Sequence, residues 1–229
     1  MTAFQLRAVV LIAVWLAAVA LRFRRSRIVL IGGLVAFALF TALAFVRGQV
    51  SLAQLGLGHH AWISTLGFAV GGLVVMLAYS PIADALASRL VRTPPTLGAF
   101  RALQQSPVRL AIGIVVAWAL GGVLEELVFR GVVLNGVEAL ASGRLVGPAA
   151  AVAAICAAAA GAGVIHLYQG PRAALIITQL SVLFGLVFVL SGHDLLAVIL
   201  CHGLYDTIAF VRFGLGKSKY AKLDQPVSG

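Results

Sequence analysis

The stretch Val123–Gly131, VLEELVFRG, places two adjacent glutamates and an arginine inside an apolar run. The residues before it, RLAIGIVVAWALGG (109–122), carry no charge after Arg109, and VVLNGV (132–137) follows. A charged side chain at the centre of a bilayer costs about 3 kcal/mol on insertion scales unless it is paired or faces a polar cavity. The stretch is therefore interpreted as part of a functional site, and polar groups elsewhere in the chain must complete it.

The composition is that of a membrane protein. Of 229 residues, 62% are hydrophobic and 10% are charged, whereas a soluble domain has about 25% charged residues. Cys156 and Cys201 both lie in apolar runs, with neither a disulfide framework nor the spacing of a zinc cluster, and are interpreted as packing residues. We expect an all-α, polytopic helical bundle with about seven transmembrane helices, located in the plasma (inner) membrane.

The net charge of +10 follows the boundaries of the apolar segments. Most of the lysines and arginines lie in short segments between apolar runs, which is typical of cytoplasmic loops beside anionic headgroups. We therefore expect a lipid bilayer around the protein and no nucleic-acid partner. The first apolar stretch is followed by RFRRSR (22–27), so we interpret it as a retained signal-anchor helix.

Candidate membrane spans are segments of about 20 mostly apolar residues. Between them, 47–61 is too polar to span, and 81–107 combines an amphipathic surface helix, PIADALASRLVR, with a loop. The predicted domains are a transmembrane helical domain over 1–213, with a functional core at about 107–212, and a polar, disordered tail over 214–229. The predicted spans are 4–21, 28–46, 62–80, 108–135, 147–168, 172–191 and 194–212.

The distribution of positive charge favours an N-terminus outside the cell, with Arg109 and Arg172 both inside. Glu125 would then lie about 24 Å beyond Arg109 at helical rise, while His166 is close in sequence to Arg172. If Glu125 and His166 meet, a helix must be tilted or broken, or the number of spans is wrong by one.

The charged stretch itself divides into two parts on a helix. Glu126 and Arg130 are four residues apart and share a face, so they are predicted to form an ion pair that keeps either charge from being buried alone. Glu125 points about 100° away, which leaves its carboxylate free for chemistry. Gly121 and Gly122, one turn earlier, would let another helix approach closely.

Two other segments supply polar groups that can complete the site. His166 stands alone in GAGVIHLYQG (161–170), and His202 and Asp206 share one helical face in ILCHGLYDTIAF (199–210). We expect one cluster built by three helices. Structural roles stay open for parts of it, since a buried histidine is often a packing residue and Glu126–Arg130 alone can be a structural pair. His59, His60 and His193 are interpreted as ordinary boundary residues.

These segments resemble the three-part signature of the CPBP family, the CAAX-type and bacteriocin-processing (Abi-type) intramembrane proteases. Its motifs are written EExxxR, FxxxH and HxxxN/D. The first corresponds to Glu125, Glu126 and Arg130, and the third to His202 and Asp206. The second departs from the pattern, because Ala162 stands at the phenylalanine position before the histidine.

The resemblance implies an intramembrane endopeptidase, a hydrolase that cleaves a peptide or membrane-protein substrate. It implies that Glu125 and His166 activate water and that His202 and Asp206 stabilise the oxyanion. Glu126 and Arg130 would support the site. Since an ionised carboxylate only accepts hydrogen bonds, Asp206 either holds His202 in its cationic, donating form or is itself protonated.

No cofactor is expected, and the alternative is a zinc metalloprotease with His166, His202 and Glu125 as ligands, although the HExxH motif is missing. Two other readings stay open. One is a proton-coupled transporter whose acidic and histidine residues form a relay, and the other is an inactive membrane scaffold or immunity-type protein. The substrate and the oligomeric state are not identified by any residue.

Overall fold

Helices make up the regular secondary structure of the described residues, which are 3–23, 27–58 and 60–221 of the computed structural model. No strand occurs within these ranges. Arg24, Arg25 and Ser26 of the basic segment, His59, and residues 222–229 of the tail lie outside them. The helices are α1 (Ala3–Ala18), α2 (Arg27–Val46), α3 (Trp62–Leu90), α4 (Pro107–Ala117), α5 (Asn135–Ala141), α6 (Ala149–Ile165), α7 (Pro171–Leu190) and α8 (Leu195–Gly214).

Seven helical segments of the described chain are long and apolar enough to cross a membrane. The predicted all-α, polytopic fold with about seven membrane-crossing helices is therefore confirmed. The segments are Phe4–Leu21, Val29–Val46, Trp62–Leu90, Pro107–Ala141, Ala149–Gln169, Pro171–Leu190 and Leu195–Gly214.

The prediction of a separate amphipathic helix at 81–92 is wrong, because α3 continues without a break from Trp62 to Leu90. Pro81 lies inside this helix, where it removes one backbone donor. Prolines are tolerated in membrane helices when neighbouring groups satisfy the freed backbone. Asp84, which made the segment look like a surface helix, is buried and receives hydrogen bonds from Arg172 at the start of α7.

The fourth span, Pro107–Ala141, is the longest membrane segment of the described chain. It begins with Ser106 as N-cap, whose hydroxyl accepts a hydrogen bond from the backbone N–H of Arg109, and with Pro107 in the first turn. Two π-helical segments, Trp118–Glu125 and Leu127–Leu134, form its middle. π-Helical turns are rare and occur frequently at functional sites.

Small residues let the helices around the fourth span approach closely. A Cβ on Gly122 would lie 3.5 Å from Cα of Gly203, so the fourth span and α8 meet nearly backbone to backbone, as the glycines at 121–122 predict. On α6, the alanine-rich face is buried, and a Cβ on Gly163 would meet Thr178 of α7. The backbones of four helices therefore converge where the charged residues lie.

The chain beyond α8 forms turns over residues 215–221. Ala221 is buried, and Gln104 donates hydrogen bonds to the carbonyls of Phe213 and Ala221. Lys219 and Tyr220 both bond Asp84 of α3. Over the rest of the tail, outside the described residues, the predicted disorder stays a prediction.

Candidate active site

Three structural elements supply the six residues singled out by the sequence. Glu125 ends the first π-helical segment, Glu126 is the single α-helical residue between the two segments, and Arg130 lies in the second. His166 caps the C-terminus of α6, and α8 carries the remaining two residues, His202 and Asp206. The expected convergence of three helices is therefore present.

The predicted ion pair between Glu126 and Arg130 is confirmed. Arg130 Nη1 donates to Glu126 Oε1 at 3.2 Å, and the two residues are 1% and 0% exposed. Arg130 Nη2 also donates to the carbonyl of Ser181 at 2.9 Å and to its Oγ at 2.5 Å. Because a buried charge is costly without partners, these bonds are what allow a guanidinium to lie inside the bundle.

His202 is held by Glu126 rather than by Asp206. His202 Nδ1 lies 2.5 Å from Glu126 Oε1, whereas its Nε2 is 3.6 Å from Asp206 Oδ2, beyond ordinary hydrogen-bond distance. Asp206 is therefore not the hydrogen-bond partner of His202, and its predicted role in holding the imidazole in the cationic form stays a prediction. Glu126 is the closer acceptor because the packing of α8 on the fourth span places His202 directly against its carboxylate.

Gly121 makes room for the exposed side of this pair. A Cβ at residue 121 would lie 2.9 Å from Asp206 Oδ2 and 3.4 Å from His202 Nε2. A side chain there would displace the carboxylate or the imidazole. The glycine therefore leaves His202 Nε2 and Asp206 facing one small space beside the fourth span.

Glu125 and His166 form the second half of the site. Glu125 Oε1 and His166 Nε2 are 3.9 Å apart, and their side chains are 14% and 15% exposed. His166 Nδ1 lies 2.8 Å from the carbonyl of Ala162, one turn earlier in α6. That carbonyl can only accept, so Nδ1 carries a proton and Nε2 is turned toward Glu125.

The two halves face each other. Glu125 interacts electrostatically with both His202 and Asp206, and His166 interacts with Asp206. Side-chain exposures of 13% for His202 and 22% for Asp206 match those of Glu125 and His166, while Glu126 behind them is fully buried. The arrangement is a partly accessible set of four groups supported by a buried ion pair.

The position of the site explains how Glu125 reaches His166. The site lies at the C-terminal end of α6, where four 3-10 residues, His166–Gln169, and Gly170 lead into α7. The same site lies in the middle of the long fourth span, Pro107–Ala141. Along the bundle axis, the α6–α7 connection therefore lies at the height of the middle of the fourth span and not at the height of its first residues. The count of seven spans needs no change.

Helix α7 contributes two residues that sequence reasoning missed. Ser181 receives both hydrogen bonds from Arg130 Nη2. The ring of Phe184 stacks on His202, with centroids 4.5 Å apart and an angle of 26° between the planes. Serine and phenylalanine are ordinary residues of apolar helices, so neither could be distinguished from a packing residue before the neighbouring helices were known.

The donor atoms do not fit a zinc centre in their observed positions. Across the described ranges, no three His, Cys, Asp or Glu side chains have the spacing of a metal site. Of the three proposed ligands, His166 and Glu125 face each other, but His202 uses Nδ1 for Glu126 and turns Nε2 toward Asp206. We therefore derive no chemical step through a metal ion.

Comparison with known proteins identifies one matching family. Residues 107–208, a little under half of the chain, match the family model described as type II CAAX prenyl endopeptidase Rce1-like. The match supports the CPBP family of CAAX-type proteases, and with it a CAAX-type intramembrane protease that acts on a peptide or protein. No curated protein and no solved structure matches the chain. All six site residues lie within the matched segment.

Proposed function

We propose that this protein is a glutamate-dependent intramembrane endopeptidase of the plasma membrane. The observation that carries the proposal is the 3.9 Å separation of Glu125 Oε1 and His166 Nε2, both partly accessible, opposite His202 and Asp206. The gap is too long for a direct hydrogen bond and suits one water molecule bonded to both atoms. The six residues would act without a metal ion.

Glu125 and His166 would orient and activate that water. With Nδ1 protonated on the Ala162 carbonyl, Nε2 of neutral His166 is an acceptor, as is the Glu125 carboxylate. A water that donates both hydrogens to these acceptors presents its lone pairs to the scissile carbonyl carbon. Its oxygen attacks that carbon while one proton passes to Glu125, which is general base catalysis.

The resulting tetrahedral intermediate carries a negative oxygen that needs donors. His202 donates through Nδ1 to Glu126, so an additional proton at Nε2 supplies a donor on the accessible side. Asp206 either supports that cationic imidazole or, when protonated, donates a hydrogen bond itself. The proton held by Glu125 then passes to the leaving nitrogen, the C–N bond breaks, and a new carboxyl end and a free amine result.

The matching family is described as a CAAX prenyl endopeptidase. For this chain we propose a peptide or membrane protein whose cleaved bond reaches the level of the α6–α7 connection. Prenylation of the substrate is a separate question that cleavage data can answer.

The test compares protein N-termini, by mass spectrometry, in membranes that carry equal amounts of wild type, Glu125→Gln or Glu138→Gln. Glu138 is a matched control, because it is a partly buried glutamate of the same span but pairs with His193 at 2.8 Å, outside the site. We expect N-termini that are present with wild type and Glu138→Gln and absent with Glu125→Gln. Equal N-termini in all three samples would contradict the proposal.

A chelated sample of wild-type membranes tests the absence of a metal. Cleavage that survives removal of zinc supports the role of Glu125 and His166 as the sole activators of water. Loss of cleavage on chelation, with recovery on added Zn²⁺, would overturn the metal-free mechanism and leave the endopeptidase assignment intact.

A further inference from the structure

One aromatic ring contacts both His202 and Arg130 from behind the site. Phe184 of α7 is 5% exposed and stacks on the imidazole of His202 at 4.5 Å. The guanidinium carbon of Arg130 lies 5.4 Å from the centroid of the same ring. The imidazole and the guanidinium meet through the Glu126 carboxylate, so the ring lies against the whole hydrogen-bonded unit.

The hydrogen bond to Glu126 alone does not fix the orientation of His202. The imidazole is attached through its Cβ–Cγ bond, and one hydrogen bond at Nδ1 still allows the ring to rock about that bond, which moves Nε2. A nearly parallel ring at 4.5 Å restricts this motion, because leaving the stack loses both contact area and the aromatic interaction. Phe184 therefore determines where Nε2 points, and Glu126 determines where Nδ1 is held.

Ser181 anchors the other end of the unit. It lies one turn before Phe184 on the same face of α7 and is 3% exposed. Its Oγ and carbonyl both accept hydrogen bonds from Arg130 Nη2. Helix α7, which contributes none of the three sequence motifs, therefore also supports the geometry of the site.

We propose that Phe184 is a positioning residue for the hydrolysis, acting through His202, with Ser181 fixing the Arg130–Glu126 pair beside it. The proposal rests on the proposed endopeptidase function. Because His202 would meet the developing oxyanion rather than the ground-state peptide, its misplacement lowers kcat and leaves KM nearly unchanged.

The test uses purified full-length protein in lipid nanodiscs and the substrate found by comparison of N-termini. Phe184→Leu removes the ring and keeps an apolar side chain, and Phe184→Tyr restores the ring. Phe188→Leu is the matched control, because Phe188 is fully buried on the same helix but packs against His193 instead of the site. We expect Phe184→Leu to lower kcat at least about 10-fold, as displacements near 1 Å can cost about 100-fold. We expect KM to change little.

Phe184→Tyr is expected to recover most of that kcat, and Phe188→Leu to keep it. Equal losses of kcat for Phe184→Leu and Phe188→Leu would overturn the proposal, as would a rise in KM without a fall in kcat.

A second measurement separates this proposal from the proposed function. The rate at which diethylpyrocarbonate modifies His202, followed by mass spectrometry, reports the freedom of its ring without any proteolysis. We expect faster modification in Phe184→Leu than in wild type, Phe184→Tyr or Phe188→Leu. An unchanged rate would overturn the positioning role. Absence of cleavage by wild type, with a faster rate in Phe184→Leu, would overturn the endopeptidase function alone.

Discussion

Replacing Arg130 with methionine removes the central cation of the buried unit while nearly preserving side-chain volume. Arg130 is 1% exposed, and three hydrogen bonds hold it, one to Glu126 and two to Ser181. The variant leaves the Glu126 carboxylate buried with one fewer partner. It also removes the hydrogen bonds between the fourth span and α7.

The size of the effect follows from which bonds an unfolded state keeps. Glu126 and Arg130 are four residues apart on one helix, so their bond survives in detergent-denatured protein that stays helical. The bonds to Ser181 join two helices and are lost. Hydrogen bonds to charged groups contribute about 1.5–3 kcal/mol each, and the two here share one nitrogen. We expect Arg130→Met to lower the free energy of unfolding by about 2–4 kcal/mol.

The assay is reversible unfolding of the purified protein in mixed micelles with increasing sodium dodecyl sulfate, followed by tryptophan fluorescence. Ser181→Ala, which removes one of the two acceptors, is expected to cost about 1 kcal/mol. In the Arg130→Met background the same change should cost almost nothing, because its donor is gone. Arg109→Met, an exposed arginine of the same span, is the control and should change little.

Two results would refute this reasoning. One is a loss for Arg130→Met no larger than that for Arg109→Met. The other is a cost of Ser181→Ala that is equal in both backgrounds, because it would show that the hydrogen bonds to Arg130 do not couple the two helices.

Two further predictions concern the edge of the site and the α3–α7 ion pair. Gly121→Ala should lower cleavage at least about 10-fold with little loss of stability, because its Cβ would push the flexible carboxylate of Asp206. Gly71→Ala is the control and should leave cleavage unchanged, because no described atom lies within 4 Å of a Cβ at residue 71. Equal cleavage by the two variants would contradict the role of Gly121. Asp84→Ala should lower the free energy of unfolding by about 3 kcal/mol, because the arginine it pairs with is left buried. Lys219→Ala should cost under about 1 kcal/mol, because the lysine side chain is 61% exposed. A larger loss for Lys219→Ala than for Asp84→Ala, measured by unfolding in micelles, would contradict this ranking.

The spans and the six candidate site residues could be predicted because each depends on the free energy of placing one short segment in a bilayer. A run of apolar residues long enough to cross a bilayer is visible in the chain itself, and an ionisable residue within such a run needs a reason. The Glu126–Arg130 pair was also accessible, since residues four apart share a helix face. These features need no knowledge of which helices are neighbours.

The features that could not be predicted depend on neighbouring helices. The bond between His202 and Glu126 joins residues far apart in the chain, and Asp206 was the only acidic candidate within one turn of that histidine. Pro81 and Asp84 suggested the end of a membrane helix, yet Arg172 from α7 satisfies the carboxylate and the helix continues. The error at 81–92 comes from assigning a polar residue to solvent when its partner lies on another helix.

The π-helical middle of the fourth span makes the number of residues there part of the chemistry. A π-helix bonds residue i to i+5, so its turns hold more residues than those of an α-helix. Deleting one residue from 127–129 or 131–134 and closing the gap as α-helix rotates the two ends of the span by about 100° relative to each other. The two ends of the span could then no longer both keep their present neighbours, although every motif residue would still be present. Among relatives of this chain, an intact set of acidic and histidine residues therefore indicates activity only when this segment also keeps its length.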